Sequence, residues 1–410
     1  MPQWSAVSSS LLGEDLRPTS KRIKLFRTIA LAVVVAVAMA ILAPPTTAAT
    51  SAPAVHPVPI IDVTDLYQPF QDPGDNFDLV TAYALPEVDL KAVILDTHNT
   101  FRSPISDHPI LHDSDHNGPR DAGFISVLQL NYIFNRNIPF GTGPFNLMRS
   151  PEDKMLDAPG FQQQGVELIL KILRETPEPV AIMSFGSARP IAVAYNRDPD
   201  LFRSKLARIY FSGGASSAGY LEWNVALDPN AALRLLRSDL PIDIFPCATK
   251  NGPFSYEAHN SYWQLPDLQF VKRLDPKIRR HLEYALGRKC RCDFLRAMDE
   301  DFPPSEIIEA YSHPHHVWET ALWMAVSGRV LVRSPSGNHR IIPAAQVTPQ
   351  DKVLPNLLEP CILNISGDAT FTFELTKTPS NFRIYDRQDP LENQSALREA
   401  FPALYLSFHP

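Results

Sequence analysis

The chain has 410 residues, 44% of them hydrophobic, and a formal net charge of −7. That is enough apolar side chain for a sizeable core, in one large α/β domain or two smaller ones. The mild acidity, with no basic block or stripe after residue 40, argues against a nucleic-acid polymer as partner, and 39 prolines against 17 glycines forecast stiff, extended connections.

In chain order, the first segment reads as an export signal rather than as fold. Lys21, Arg22, Lys24 and Arg27 flank the apolar run "TIALAVVVAVAMAILA", and small residues follow in "PPTTAATSAPA". Cleavage is expected after Ala49, which places the protein in the periplasm or outside the cell. The rival is a retained membrane anchor, although the run falls short of the ~20 residues a spanning helix needs. Residues 1–49 are thus assigned to the signal, 50–57 to a linker and 58–410 to the folded domain.

From Pro57 onward, short β-branched runs alternate with amphipathic helices. "VPIIDV" reads as a strand, "DNFDLVTAYAL" as a helix and "LKAVILD" as a strand, followed by a polar loop from Ser103 to Pro119. The helices "GFISVLQLNYIF" and "GFQQQGVELILKILRE" come next. Then "PVAIMSF", "LARIYFSGG" and "PIDIFP" read as strands separated by the helices "ARPIAVAYN" and "DPNAALRLLRSDL". Such alternation predicts an α/β fold with a mainly parallel open sheet and helices on both faces, Rossmann-like in architecture. Ligands in such sheets sit beyond the carboxyl ends of the strands.

Past Pro246 the pattern becomes irregular. "PKIRRHLEYALGR" and "HHVWETALWMAVSGR" read as helices. "RVLVRS", "CILNIS" and "TFTFEL" read as strands, the last alternating as a half-buried edge strand does. Cys247, Cys290, Cys292 and Cys361 are either all free or paired in one of three ways, with Cys290 and Cys292 too close to bond each other. "NIS" at Asn364 and "NQS" at Asn393 match the N-glycosylation pattern, which acts only in a eukaryotic host.

The densest chemistry lies between Asp62 and Asp78. Asp62, Asp65, Asp72, Asp75 and Asp78 follow a strand end and crowd a helix start. Carboxylates that close raise one another's pKa unless a cation intervenes, and an all-oxygen set suits calcium or magnesium. The other reading is that Asp75 caps the helix and the rest are solvated.

The order of a strand with aspartate, "DPG…D", a helix ending in Pro86-Glu87, and a strand running into Asn99 resembles the inosine-uridine-preferring nucleoside hydrolase family. That family opens with a strand, a D-x-D-P-G-x-D-D loop, a helix ending in Pro-Glu and a strand leading to an asparagine. "PVAIMSFGSARPIAVAYNRDPDLFRSKLARIYFSGG" and "EWNVALDPNAALRLLRSDLPIDIFP" continue the similarity, which covers about residues 58 to 250 and weakens toward 330.

The resemblance implies hydrolysis of N-glycosidic bonds in a small-molecule ribonucleoside or related glycoside, through a calcium-bound water and an oxocarbenium-like transition state. It implies sugar contacts from Asn99, Glu222 and Asn224. The implied metal ligands are Asp62, Asp65, Asp72 and Asp75, with Arg189 through its backbone carbonyl and Glu319 as counterpart of a C-terminal acid. It also allows a homo-oligomer.

Gly74 stands where the family carries its general base, and "LYQPFQ" is extra. Asp72 or Asp78 is therefore the expected replacement base, and His315 or His316 a leaving-group acid, against the plainer reading that the histidines solvate a helix start. The alternatives are a binding protein that keeps the sugar pocket without the base, and an enzyme acting on another glycosyl substrate.

Overall fold

The computed structural model describes residues 56–66, 73–98, 123–287, 293–301 and 311–410. The N-terminal segment, Asp72, Asn99, Cys290 and Cys292 lie outside the described residues. Residues His56–Pro410 form one compact unit.

The first half follows the expected alternation: β1 (Val58–Thr64), α1 (Pro73–Ala84), β2 (Val88–Leu95), α2 (Phe124–Ile133), β3 (Phe140–Thr142), α3 (Gly160–Glu175), β4 (Val180–Phe185), α4 (Arg189–Arg197), α5 (Pro199–Lys205) and β5 (Leu206–Ser212). It continues through α6 (Trp223–Leu227), α7 (Pro229–Leu236), β6 (Ile242–Phe245), β7 (Trp263–Leu265) and α8 (Pro276–Leu286). The C-terminal part holds β8 (His315–Val317), α9 (Thr320–Ser327), β9 (Arg329–Arg333), β10 (His339–Pro343), β11 (Lys352–Val353), β12 (Leu357–Ile365), β13 (Phe371–Leu375), β14 (Phe382–Asp386) and α10 (Pro390–Tyr405).

One local device recurs. Helices α5, α7, α8 and α10 each begin with Asp-Pro, at Asp198, Asp228, Asp275 and Asp389. The aspartate side chain accepts a backbone N–H of the first turn, and the proline sits where no intrahelical donor is needed. This fixes where helices start along the sheet.

The main sheet has nine strands in the order β13-β12-β14-β6-β5-β4-β1-β2-β3. All neighbours pair in parallel except β12, which runs against both β13 and β14. The edge position expected for "TFTFEL" is occupied by β13. From β1 the chain steps outward to β2 and β3, then crosses to β4 on the other side of β1. The β1/β4 boundary is therefore the topological switch point, where such sheets open a crevice.

Two apolar layers cover the sheet. Ile61, Val63, Ile94, Ile182 and Ile244 pack against α3, α4 and α7. Ile60, Val93, Met183 and Phe245 pack against α1, α8, α9 and α10. Because side chains alternate along a strand, Asp62 shares the face of Ile60 and points toward the α1/α9 layer.

The segment from His315 to Arg329 differs from the single helix expected. His315–Val317 pair antiparallel with Trp263–Leu265, and the helix begins only at Thr320. Pairing with β7 outweighs local helix preference there, and Gly328, in the left-handed region at φ 65°, ends the helix. Cys247 and Cys361 are free and buried.

Candidate active site

The carboxyl ends of β1, β4 and β5 and Cys247, two residues beyond β6, surround a cavity of about 290 Å3. Asp65 follows β1, Asp75 lies in the first turn of α1, and Glu319 immediately precedes α9; together they form its acidic side. Ser212, Glu222, Asn224 and Cys247 form a second wall. Tyr220, Trp223, Phe254 and Trp318 supply an aromatic side, with Trp223 43% and Phe254 57% exposed. Five residues selected from the sequence, Asp65, Asp75, Glu222, Asn224 and Glu319, thus face one space.

Carboxylate oxygens of Asp75, Asp78 and Glu319 lie within 4.8 Å of one another, all buried. Asp78 is not in the cavity wall. Its Oδ1 accepts from Trp323 Nε1 at 3.0 Å, while its Oδ2 is buried without a hydrogen-bond partner. Burial raises its pKa well above the ordinary value, and the charges of Glu319, Asp75 and Asp62 raise it further. Asp62 is fully buried with both carboxylate oxygens unpartnered, and burial pushes its pKa up to about 7. Glu319 Oε2 accepts the backbone N–H of Trp318 at 2.8 Å.

Buried, unpartnered carboxylate oxygens beside a tight acidic triad are costly unless protonated or matched by a cation. The donors are oxygen only, so the set fits a hard divalent ion and not a thiolate- or imidazole-seeking one.

Glu222 has a structural task as well. It caps α6, with Oε1 accepting from Asn224 N at 3.0 Å and Oε2 from Val225 N at 3.3 Å and from Gly214 N at 2.9 Å. Burial raises its pKa to about 7 against the lowering effect of those N–H groups. Asn224 donates Nδ2 to Ser212 O at 3.0 Å.

The Arg189 side chain, as distinct from the backbone carbonyl expected to serve a metal, has structural partners. Its buried guanidinium pairs with Asp96 and Asp228, each at 3.3 Å, and donates to Pro144 O at 2.8 Å and Thr97 O at 2.9 Å. Asp228 also caps α7, so this network ties the ends of β2 and β4 to the start of that helix. His316 sits behind the aromatic side: its ring lies 4.2 Å from that of Phe254, and Nδ1 meets the Tyr262 hydroxyl at 2.9 Å. Burial lowers its pKa. His315 is half-buried on the same short strand.

Sequence reasoning missed Tyr220, Phe254, Trp318 and Cys247. Trp223 lay inside the "EWN" string without being singled out. Phe254 comes from an irregular segment and Trp318 from the string read as one continuous helix, so no local signal marked either as a cavity residue.

Residues 117–303 match the sequence profile of the inosine-uridine preferring nucleoside hydrolase family. The match contains Arg189, Glu222 and Asn224 and begins beyond the acidic loop. The chain is similar to the pyrimidine-specific ribonucleoside hydrolase RihA of Escherichia coli O127:H6, 34% identical over 185 residues, which is 42% of this chain and 56% of the relative. RihA of Citrobacter koseri matches with the same identity and coverage. The chain thus spans little more than half the length of the curated relatives it matches. Among solved structures it is similar to the plant nucleoside hydrolase PpNRh1, with 16% identity, a TM-score of 0.48, and coverage of 84% of this chain and 98% of that one. Over residues 117–303 the chain is thus similar to the inosine-uridine preferring nucleoside hydrolase family, the family whose motif order it resembles.

Proposed function

We propose that the protein hydrolyses the N-glycosidic bond of ribonucleosides or related glycosides with the help of a bound calcium ion. The observation that carries this reading is the cavity at the β1/β4 switch point, with carboxylates on one side and four aromatic rings on another. A nucleoside has the same polarity: a hydroxyl-rich sugar at one end and a flat base at the other.

Asp75, Asp78 and Glu319 would hold the ion, with Asp62 and Asp65 beside them. When bound, calcium supplies a charge that orients sugar hydroxyls and acidifies a water. The Asn224 amide, fixed through Nδ2 to Ser212, turns its oxygen to accept from a sugar hydroxyl. Glu222 accepts a second hydroxyl while holding the loop through its cap bonds. Trp223, Phe254 and Trp318 stack against the base and exclude water from the bond being broken.

The proton released by the attacking water goes to a floor carboxylate. Asp65 and Asp75 face the cavity and Asp78 lies one layer behind; Asp72, the other base expected from the sequence, lies outside the described residues. His316 acts on the leaving base only through Phe254 and Trp318, which its ring supports.

Turnover of a chromogenic riboside, measured with calcium and then with chelator, tests this. The expected result is cleavage that chelator abolishes and calcium restores. Gly74, standing where the family has its general base, favours one other reading: a protein that binds the sugar without cleaving it. Calorimetric riboside binding in saturating calcium, with no cleavage above background, would establish that reading instead.

A further inference from the structure

We propose that Asn364 is the acceptor of an N-linked glycan when the chain passes through a eukaryotic secretory compartment, and that Asn393, the other matching asparagine, is not. The two share the same tripeptide pattern, and the fold separates them.

Asn364 lies near the end of β12, and its side chain is exposed. Cys361, Leu363 and Ile365 of that strand turn into the apolar layer, so Asn364 and Ile362 point to the opposite face, where Ile362 is 60% exposed. Two residues on, Ser366 is exposed and opens the turn to β13, its N–H donating to Thr370 O at 2.8 Å. The tripeptide therefore sits at a hairpin end, with Ile365 turned to the apolar layer and Asn364 and Ser366 exposed. A glycan there would cover Ile362 and flank the sheet edge, a position where exposed apolar strands otherwise invite pairing with other chains.

Asn393 is 3% exposed. Its backbone N–H donates to Asp389 O at 3.0 Å within α10, and Nδ2 donates to Asn356 Oδ1 at 3.2 Å. An oligosaccharide on that nitrogen would displace the hydrogen bond and the helix with it.

The step itself balances with a polyprenyl-diphosphate-linked oligosaccharide as donor. The Asn364 amide nitrogen bonds to the anomeric carbon, and the carbon–oxygen bond to diphosphate breaks. The diphosphate then leaves with the electron pair, and the amide gives up one proton.

The test uses the full chain behind a cleavable secretion leader in a eukaryotic host, with gel mobility and peptide mapping before and after an N-glycan-releasing amidase. The expected result is one amidase-sensitive shift, with aspartate found at position 364 after release. Asn364→Gln and Ser366→Ala should each remove the shift. Ser395→Ala, which destroys the second pattern while keeping Asn393 and its bond, should leave it unchanged. A shift that survives Asn364→Gln, glycan mapped to Asn393, or an unshifted secreted wild type would overturn the proposal.

Discussion

Asp75 in the first turn of α1 and Glu319 just before α9 bring carboxylate oxygens within 4.8 Å of each other in a buried setting, with Asp78 as the third member. Two helices far apart in sequence are thereby joined through groups that repel when ionised. A divalent ion should bind there and stabilise the fold by RT ln(1 + [L]/Kd), about 2.7 kcal/mol at a hundredfold excess over Kd. Calcium is expected to raise the Tm, and Asp75→Asn or Glu319→Gln to remove most of that increase while preserving the far-UV circular dichroism. Identical melting curves in millimolar calcium and in chelator would return these residues to a purely structural role.

Asp62 gives a pH dependence. Burial raises its pKa from 3.8 to about 7 in the folded protein, so the folded state holds a proton that the unfolded chain releases. Between about pH 4 and 7 this group binds more proton in the native state, so its contribution to metal-free stability falls as pH rises through that window. At ~1.4 kcal/mol per unit, the loss is at most a few kcal/mol. In chelator, Asp62→Asn should be more stable than wild type at pH 8 and should show a shallower decline from pH 5. Urea unfolding at the two pH values measures this; equal slopes for both proteins would contradict it.

Asn224→Ala should weaken riboside binding by about two- to tenfold, the effect of one hydrogen bond of roughly 0.5–1.5 kcal/mol. Glu222→Ala should do more, because it also strips acceptors from three backbone N–H groups. It should therefore lower the Tm as well as affinity. Calorimetry alongside thermal melts separates the two effects, and a Glu222→Ala protein with unchanged Tm would contradict the capping geometry.

Trp223 contributes an exposed ring to the cavity, so Trp223→Ala should leave the fold intact. Loss of stacking worth about 0.5–1.5 kcal/mol predicts a two- to tenfold rise in KM for a nucleoside. A sugar lacking the base should bind the variant and wild type alike. If both ligands weaken equally, the ring does not contact the base.

The N-terminal segment should be removed on export, leaving a mature chain that starts near Thr50. Sequencing of the natively exported protein checks this. Recovery of Met1 in a membrane fraction would show a retained anchor.

The sequence by itself determined the βα alternation from Val58 to Phe245, the edge character of "TFTFEL", and the acidic cluster at the first strand end. These are local matters: side-chain period, Asp-Pro helix starts, and residues close along the chain. Asp65, Asp75, Glu222 and Asn224 were legible because each sits where a strand stops or a helix starts, which is where such sheets place ligands. Only the tertiary structure decided that Asp78 stands behind the wall, that Glu222 also caps α6, and that Arg189 spends its charge on Asp96 and Asp228. It alone set Phe254 and Trp318 opposite the acids and made His315–Val317 a strand. Those outcomes depend on which distant segments meet after the chain crosses from β3 to β4, and β7 pairing with β8 overrides the helical preference of the residues involved. No local pattern encodes a contact whose partners are set by topology.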